Sequence, residues 1–195
     1  MSSASVPPAV VRAAERAARR GFGLSCTPEV GALLAALAAA VEPGGRILEL
    51  GTGAGVGLAW LVSGVGDRTD VRIESVELDP DLAADVAGDD WPAVVTLHTR
   101  DAVELLPGLG TFQLIFADAQ GGKTDRLDLT LAALAPGGVL VVDDMRERPD
   151  DEMHVSLWPA ISAVRERLVG DPALQVAELP DWASGVMLAV RRRGG

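Results

Sequence analysis

The chain has 195 residues, 48% of them hydrophobic and 23% charged, a balance that excludes a disordered polymer and lets one domain bury about 70% of its unfolded surface. Asp and Glu number 28 against 17 Lys and Arg, a net charge of −11, which argues against nucleic acid or an anionic membrane surface as the main partner, because both need a basic face. The single cysteine, Cys26, excludes an intrachain disulfide and a cysteine-based zinc site.

Met1–Pro8 has no basic start and no apolar run, so no secretory signal is expected. The first seven residues are small, polar and Pro-containing, as a fraying end is. Pro8–Gly21 reads as a helix, with Arg12, Arg16, Arg19 and Arg20 near one face, and that face is expected to be solvated rather than to bind. Thr27-Pro28 starts a second helix, Thr as N-cap and Pro at the first helical position, which runs to about Val41. Its apolar stretch, Val30–Val41, is too short to span about 30 Å of hydrocarbon, and a cytoplasmic location is the expectation. Beyond Pro43-Gly44-Gly45 the chain alternates. Strands are expected at Arg46–Leu50, Val71–Leu78, Val94–His98, Phe112–Ala117 and Val139–Val142, with helical segments at Gly55–Gly64, Asp81–Ala87, Ala102–Leu106 and Asp125–Leu134. A helix over Met153–Leu168 and strands over Leu174–Leu179 and Val186–Arg191 follow. Short apolar strands alternating with helices imply an α/β fold: a doubly wound, mostly parallel, seven-stranded Rossmann-like sheet, with a closing hairpin that adds an antiparallel strand at one edge. One domain over 1–195 is expected, its helices within 1–42 capping a core of 43–195.

In such a sheet the ligand sits outside the carboxyl ends of the strands. The first strand–helix turn reads Glu49-Leu50-Gly51-Thr52-Gly53-Ala54-Gly55-Val56-Gly57. A dinucleotide fingerprint from Gly51 or Gly53 would need glycine at Val56 or Leu58, and a phosphate loop would need a Gly-Lys-Ser/Thr run, so neither fits. What remains is an acid two residues before a Gly-x-Gly-x-Gly loop. A carboxylate there opposes a pyrophosphate and suits a cationic amino group, as on S-adenosylmethionine. Glu77, ending the strand VRIESVEL, supplies a carboxylate able to accept from both ribose hydroxyls.

Residues 46–60, 74–82, 112–118 and 136–145 together resemble a class I S-adenosylmethionine-dependent methyltransferase and, more narrowly, the catechol and caffeoyl-CoA O-methyltransferase-like family. The resemblance spans roughly residues 24 to 190. It implies that Gly51, Thr52, Gly53 and Gly55 line the methionine part of the cofactor, with Glu49 beneath them. It further implies that Glu77 holds the ribose, that Leu78 lies beside the adenine, and that Asp101-Ala102 is the adenine-contacting pair, Asp101 being equally readable as a helix N-cap. Bacterial members of that family are often dimers, so a homodimer through the N-terminal helix is an open expectation.

Asp118 ends the fourth strand, and Asp143-Asp144 ends the fifth. Adjacent strands lie about 4.8 Å apart, so the three carboxylates are expected to converge at the edge of the cleft. Close anions need a cation or a raised pKa. Oxygen-only ligands point to a hard ion, Mg²⁺ first, with Ca²⁺ or Mn²⁺ as alternatives. The resembled family places a divalent metal here, which holds two vicinal oxygens of the acceptor. Two features depart from the family pattern: Asp143-Asp144 stands where Asp-Asn is usual, and the usual base lysine is replaced by Gly121, with the chain's one lysine, Lys123, two residues later. Lys123, reached through the flexible Gly121-Gly122 pair, is the candidate base beside Asp118, which also borders the cofactor.

Trp182, in the loop of the closing hairpin, is a candidate to stack on an aromatic acceptor. Met145 and Cys26 are candidates for the pocket rim. His98 is expected to be packed, His154 to cap or lie at the surface. The sequence therefore points to transfer of a methyl group from S-adenosylmethionine to an oxygen of a small, catechol-like acceptor with metal assistance. The alternatives are a metal-independent small-molecule methyltransferase and a non-catalytic S-adenosylmethionine-binding protein.

Overall fold

The computed structural model describes residues 6–194, so the expected fraying falls mostly on residues 1–5, outside the described residues. The elements follow in the order α1 (Pro8–Arg20), α2 (Pro28–Ala39), β1 (Arg46–Leu50), α3 (Val56–Val65), β2 (Arg72–Glu77), α4 (Pro80–Ala87), β3 (Val95–Thr99), α5 (Ala102–Leu109), β4 (Phe112–Ala117), α6 (Leu127–Ala133), β5 (Leu134–Val142), α7 (Glu152–Val169), β6 (Leu174–Leu179) and β7 (Val186–Arg191).

Helix starts are encoded locally. Pro8, Pro28 and Pro80 open α1, α2 and α4, where a missing N–H costs nothing. The Thr27 hydroxyl and the Asp79, Asp101 and Asp151 carboxylates accept from the first free amides of α2, α4, α5 and α7. Gly21 ends α1 in the left-handed region, with its N–H on the Ala17 and Ala18 carbonyls.

The sheet has the order β3-β2-β1-β4-β5-β7-β6. β1 to β5 pair in parallel, and β7 runs antiparallel to both β5 and β6. The closing hairpin thus extends the β5 side with β7 inserted first and β6 outermost. Two apolar layers cover the sheet. Val30, Leu34, Leu58, Leu61 and Val86 of α2, α3 and α4 pack on one face, and Ala102, Leu106, Leu127, Ile161 and Leu168 of α5, α6 and α7 on the other. α1 lies outside α3, contributing Val10 and Ala13 against Val56 and Ala59. The strand order reverses between β1 and β4, which opens a crevice at their carboxyl ends.

The largest boundary difference from expectation lies where α6 gives way to β5. The segment read as the end of α6 is already β5: Leu134 pairs with Phe112, and the register shifts before Leu114 pairs with Val139. Pro136 cannot continue a helix, and with Leu134 and Ala135 buried the segment joins the sheet instead. Among the described residues no helix is long and apolar enough to cross a membrane.

Candidate active site

A cleft of about 330 Å³ opens over the carboxyl ends of β1, β2 and β4, within the size range of small-ligand sites. Its floor is the β1–α3 loop. Gly51, Gly53 and Gly55 all have positive φ, of 96°, 53° and 81°, a region costly to side-chain-bearing residues. Thr52 in the same loop is buried, and its hydroxyl meets that of Ser75 at 2.5 Å. Ser75 in turn donates to Glu49 Oε2 at 2.5 Å.

Glu49 is the unusual residue here. It is fully buried, and Oε1 has no partner. Burial pushes its carboxyl up to about 8, against the Ser75 hydrogen bond and with a smaller push from Glu77. A Cβ on Gly57 would stand 2.3 Å from that same Oε1, so the fourth glycine of the Gly-rich run leaves room for the carboxylate. An orphaned buried acceptor under a loop without side chains is a cradle for a cationic donor.

Glu77, at the end of β2, braces the loop from the side: Oε2 accepts from the Gly53 amide at 2.7 Å and Oε1 from the Asp79 amide at 2.9 Å. Leu78 is exposed at the cleft, facing Leu82, Arg100, Asp101 and Ala102 across it. Asp101 meets both of its readings, since it lines the cleft and caps α5 through a 2.7 Å bond from the Val103 amide.

The three aspartates at the other rim do not converge as expected. Among the described residues, no group of three or more His, Cys, Asp or Glu side chains is placed to hold an ion together. Asp143 and Asp144 are engaged elsewhere. Asp143 is buried, and its Oδ1 accepts from the Ser184 hydroxyl and, at 2.8 Å, from the Asp144 amide. Asp144 takes a left-handed backbone, φ 58°, which turns its carboxylate onto Arg148 at 2.8 Å. Asp118 alone of the three lines the cleft; burial raises its proton affinity well above the ordinary carboxylate value, and nearby Lys123 opposes that rise. Burial also raises Asp143, against the Ser184 bond.

Lys123 lies in the turn between β4 and α6. It is buried, and its Nζ donates to the Asp143 carbonyl at 3.3 Å. The turn that aims it inward closes through Lys123 N–H and Asp125 N–H on the Gln120 carbonyl. Gly122 sits at its tip with φ 85°, against Leu50 and Thr130.

Neither Met145 nor Trp182 lines the cleft. Met145 follows the last cleft-edge aspartate, but its side chain is buried in the core on the α5–α7 face. Trp182 stands one-third exposed in the β6–β7 loop. Cys26 does line the cleft, with Phe22, Leu24 and Ser25 of the α1–α2 connection. Burial first, then Asp118, Asp143 and Glu49, push its thiol upward, so it sits there as a neutral thiol. His98 is half-buried against Glu74 at 3.0 Å. His154, expected at the surface or as a cap, is instead buried beside Arg148 at 3.1 Å and stacked near Trp158.

The largest departure is Arg16. Its place on a basic helix face suggested solvation, yet it is buried, with Nε on the Ala54 carbonyl at 2.9 Å and a terminal nitrogen on Asp89 at 2.6 Å. It ties α1 and the α4–β3 connection to the glycine loop. Its four-residue spacing from Arg12 and Arg20 hid this. A buried Ala13 and Ala17 on the same turns were the available signal.

The family described as a methyltransferase domain matches residues 48–145, which spans β1 to the end of β5. A protein named as an O-methyltransferase in Mycobacterium ulcerans is 34% identical over 189 residues, covering 92% of this chain and 83% of the relative. Two solved structures share the fold: the O-methyltransferase TomG of Streptomyces achromogenes in complex with SAM (TM-score 0.79, 24% identity, 96% of this chain and 91% of that one), and an O-methyltransferase of Bacillus cereus in complex with SAH (TM-score 0.78, 20% identity, 96% and 92%).

Proposed function

The chain belongs to the methyltransferase-domain family, and we propose that it is an S-adenosylmethionine-dependent O-methyltransferase acting on a small hydroxylated acceptor, catechol-like in size and shape. The observation that carries this reading is the pairing of the orphaned Glu49 carboxylate with the side-chain-free loop above it. The donor set fits S-adenosylmethionine. Glu49 faces an ammonium, the loop amides and Thr52 border the methionine chain, Glu77 accepts from ribose hydroxyls, and Leu78, Asp101 and Ala102 bound the adenine.

When bound, that cofactor supplies a methyl group on a sulfonium and leaves as the neutral thioether. The chain's own residues orient the acceptor and handle its proton. Asp118 lines the cleft next to Ala119 and Gln120. Its carboxylate, made more basic by burial, would accept the proton of the acceptor hydroxyl. Phe22, Leu24 and Cys26 give the cleft an apolar, uncharged wall.

A divalent ion held by Asp118, Asp143 and Asp144 does not fit the residues as arranged. One oxygen of Asp143 is taken by Ser184 and the Asp144 amide, one oxygen of Asp144 by Arg148, and the buried Lys123 ammonium already sits on the Asp143 backbone carbonyl. No step is routed through such an ion. Calorimetry with S-adenosylmethionine, followed by a methyl-transfer assay on a catechol panel, tests the function. Saturable binding with turnover on at least one hydroxylated acceptor is the expected outcome. Binding without turnover on any acceptor would favour the cofactor-binding protein without catalysis, and no binding would overturn both.

A further inference from the structure

We propose that two side chains of this protein, Lys123 and Arg148, stand in the place of the divalent cation, so that the site binds no divalent metal and methyl transfer proceeds without one. The proposal rests on the methyl-transfer reading of the cleft.

The charges show how. Asp118, Asp143 and Asp144 bring three carboxyl groups to one rim. Arg148 Nη2 meets Asp144 at 2.8 Å. Lys123 is among the few buried charged side chains of the protein and donates to the carbonyl of Asp143. It also lies close enough to act on the carboxyls of Asp118 and Asp143. Burying a lysine is costly unless anions surround it, and this is where the anions are. The turn is built to hold it there. Gly122, with φ 85°, packs where a Cβ would stand 2.7 Å from Leu50 and 2.9 Å from the Thr130 hydroxyl, and that hydroxyl donates to the Gly122 carbonyl at 2.6 Å. The backbone therefore cannot retreat, and the lysine points inward. A dication entering this rim would meet the Lys123 ammonium on the Asp143 backbone and the Arg148 guanidinium on the Asp144 carboxylate, and at such range Coulomb repulsion is strong.

A consequence follows for the acceptor. A chelated ion demands two vicinal oxygens, whereas the Asp118 carboxyl that lines the cleft asks for one hydroxyl. A single hydroxyl therefore suffices for this site.

The test is metal binding, which requires neither cofactor nor acceptor and so fails or succeeds apart from the methyl-transfer reading. Mn²⁺, Mg²⁺ and Ca²⁺ are titrated into the chelator-treated full chain and into Lys123→Met, with binding read by calorimetry and by thermal shift. The wild type is expected to show no saturable site at millimolar ion. Lys123→Met leaves the carboxylates without their buried cation and is expected to gain Mn²⁺ affinity by at least about tenfold, and Lys123→Arg is not. Saturable wild-type binding that Asp143→Asn abolishes would overturn the proposal. So would a folded Lys123→Met, confirmed by circular dichroism, that gains no affinity. Should Lys123→Met fail to fold, Lys123→Gln carries the same comparison, and the wild-type titration decides the metal question by itself.

Discussion

Replacing Glu49 with glutamine removes a charge but keeps the shape and leaves an oxygen for the Ser75 hydroxyl. In the wild type the carboxyl is driven from its ordinary 4.5 up to about 8, chiefly by burial. A raised acid of this kind stabilises the fold fully below the unfolded value, and that contribution is lost as pH rises through the folded one. The window is therefore pH 4.5 to 8. At about 1.4 kcal/mol per pH unit the full span is worth at most about 5 kcal/mol, and relaxation around the orphaned Oε1 reduces this to about 2–3 kcal/mol. Glu49→Gln has no such dependence. Denaturant unfolding of both proteins at pH 5 and pH 8.5 should show the variant gaining on the wild type by about 2–3 kcal/mol, or about 4–12 °C in Tm for a chain of this length. The same residue couples to the cofactor. An ammonium placed against Glu49 favours its ionised form, so S-adenosylmethionine binding near pH 7 should release up to about one proton, visible as a buffer-dependent enthalpy. Glu49→Gln should lose that release and about tenfold or more in affinity, as a charge-assisted contact becomes neutral. Parallel stability profiles for the two proteins across this pH range would refute the claim that burial governs Glu49.

Gly57→Ala drives a methyl group to 2.3 Å from Glu49 Oε1. It should cost about 1–3 kcal/mol of stability as overpacking and weaken cofactor binding with it, whereas Gly108→Ala, whose Cβ meets nothing within 4 Å, should leave binding unchanged. Arg16→Met removes the side-chain donor on the Ala54 carbonyl and the guanidinium paired with Asp89. A loss of about 3 kcal/mol, with weaker S-adenosylmethionine binding, is expected by urea unfolding and calorimetry. Binding equal to wild type would show that α1 does not hold the glycine loop.

Local signals carried the fold a long way. β1, β4, β6 and β7 lie where apolar alternation put them, because a strand's period and its flanking Gly and Pro are written within a few residues. β5 escaped at its start because Leu134 and Ala135 continue an apolar run that suits helix or strand equally. Only the pairing of Leu134 with Phe112, some twenty residues away, decides between them. The cofactor half of the site was legible for the same reason as the strands. Glu49, the glycines and Glu77 sit at strand ends, and the loop spacing fixes their relation.

The acidic rim was not legible, and the reason is specific. Strand order puts the three aspartates just past the ends of the neighbouring strands β4 and β5, but where each carboxylate turns is set by partners distant in sequence. Asp143 is held by Ser184, 41 residues away, and Lys123 reaches across 20 residues to the Asp143 backbone. Arg16 reaches 38 residues to Ala54 and 73 to Asp89. Spacing rules place a side chain on a face, but they do not say which charges that face will bury. A charged residue is solvated by default, and the exceptions arise only where long-range packing supplies an opposite charge. Arg16 and Lys123 are two such exceptions, one beneath the glycine loop and one at the aspartate rim. Where local rules break at two points of one cleft, strain and charge are being held in place by the rest of the fold, which is what a site for chemistry requires.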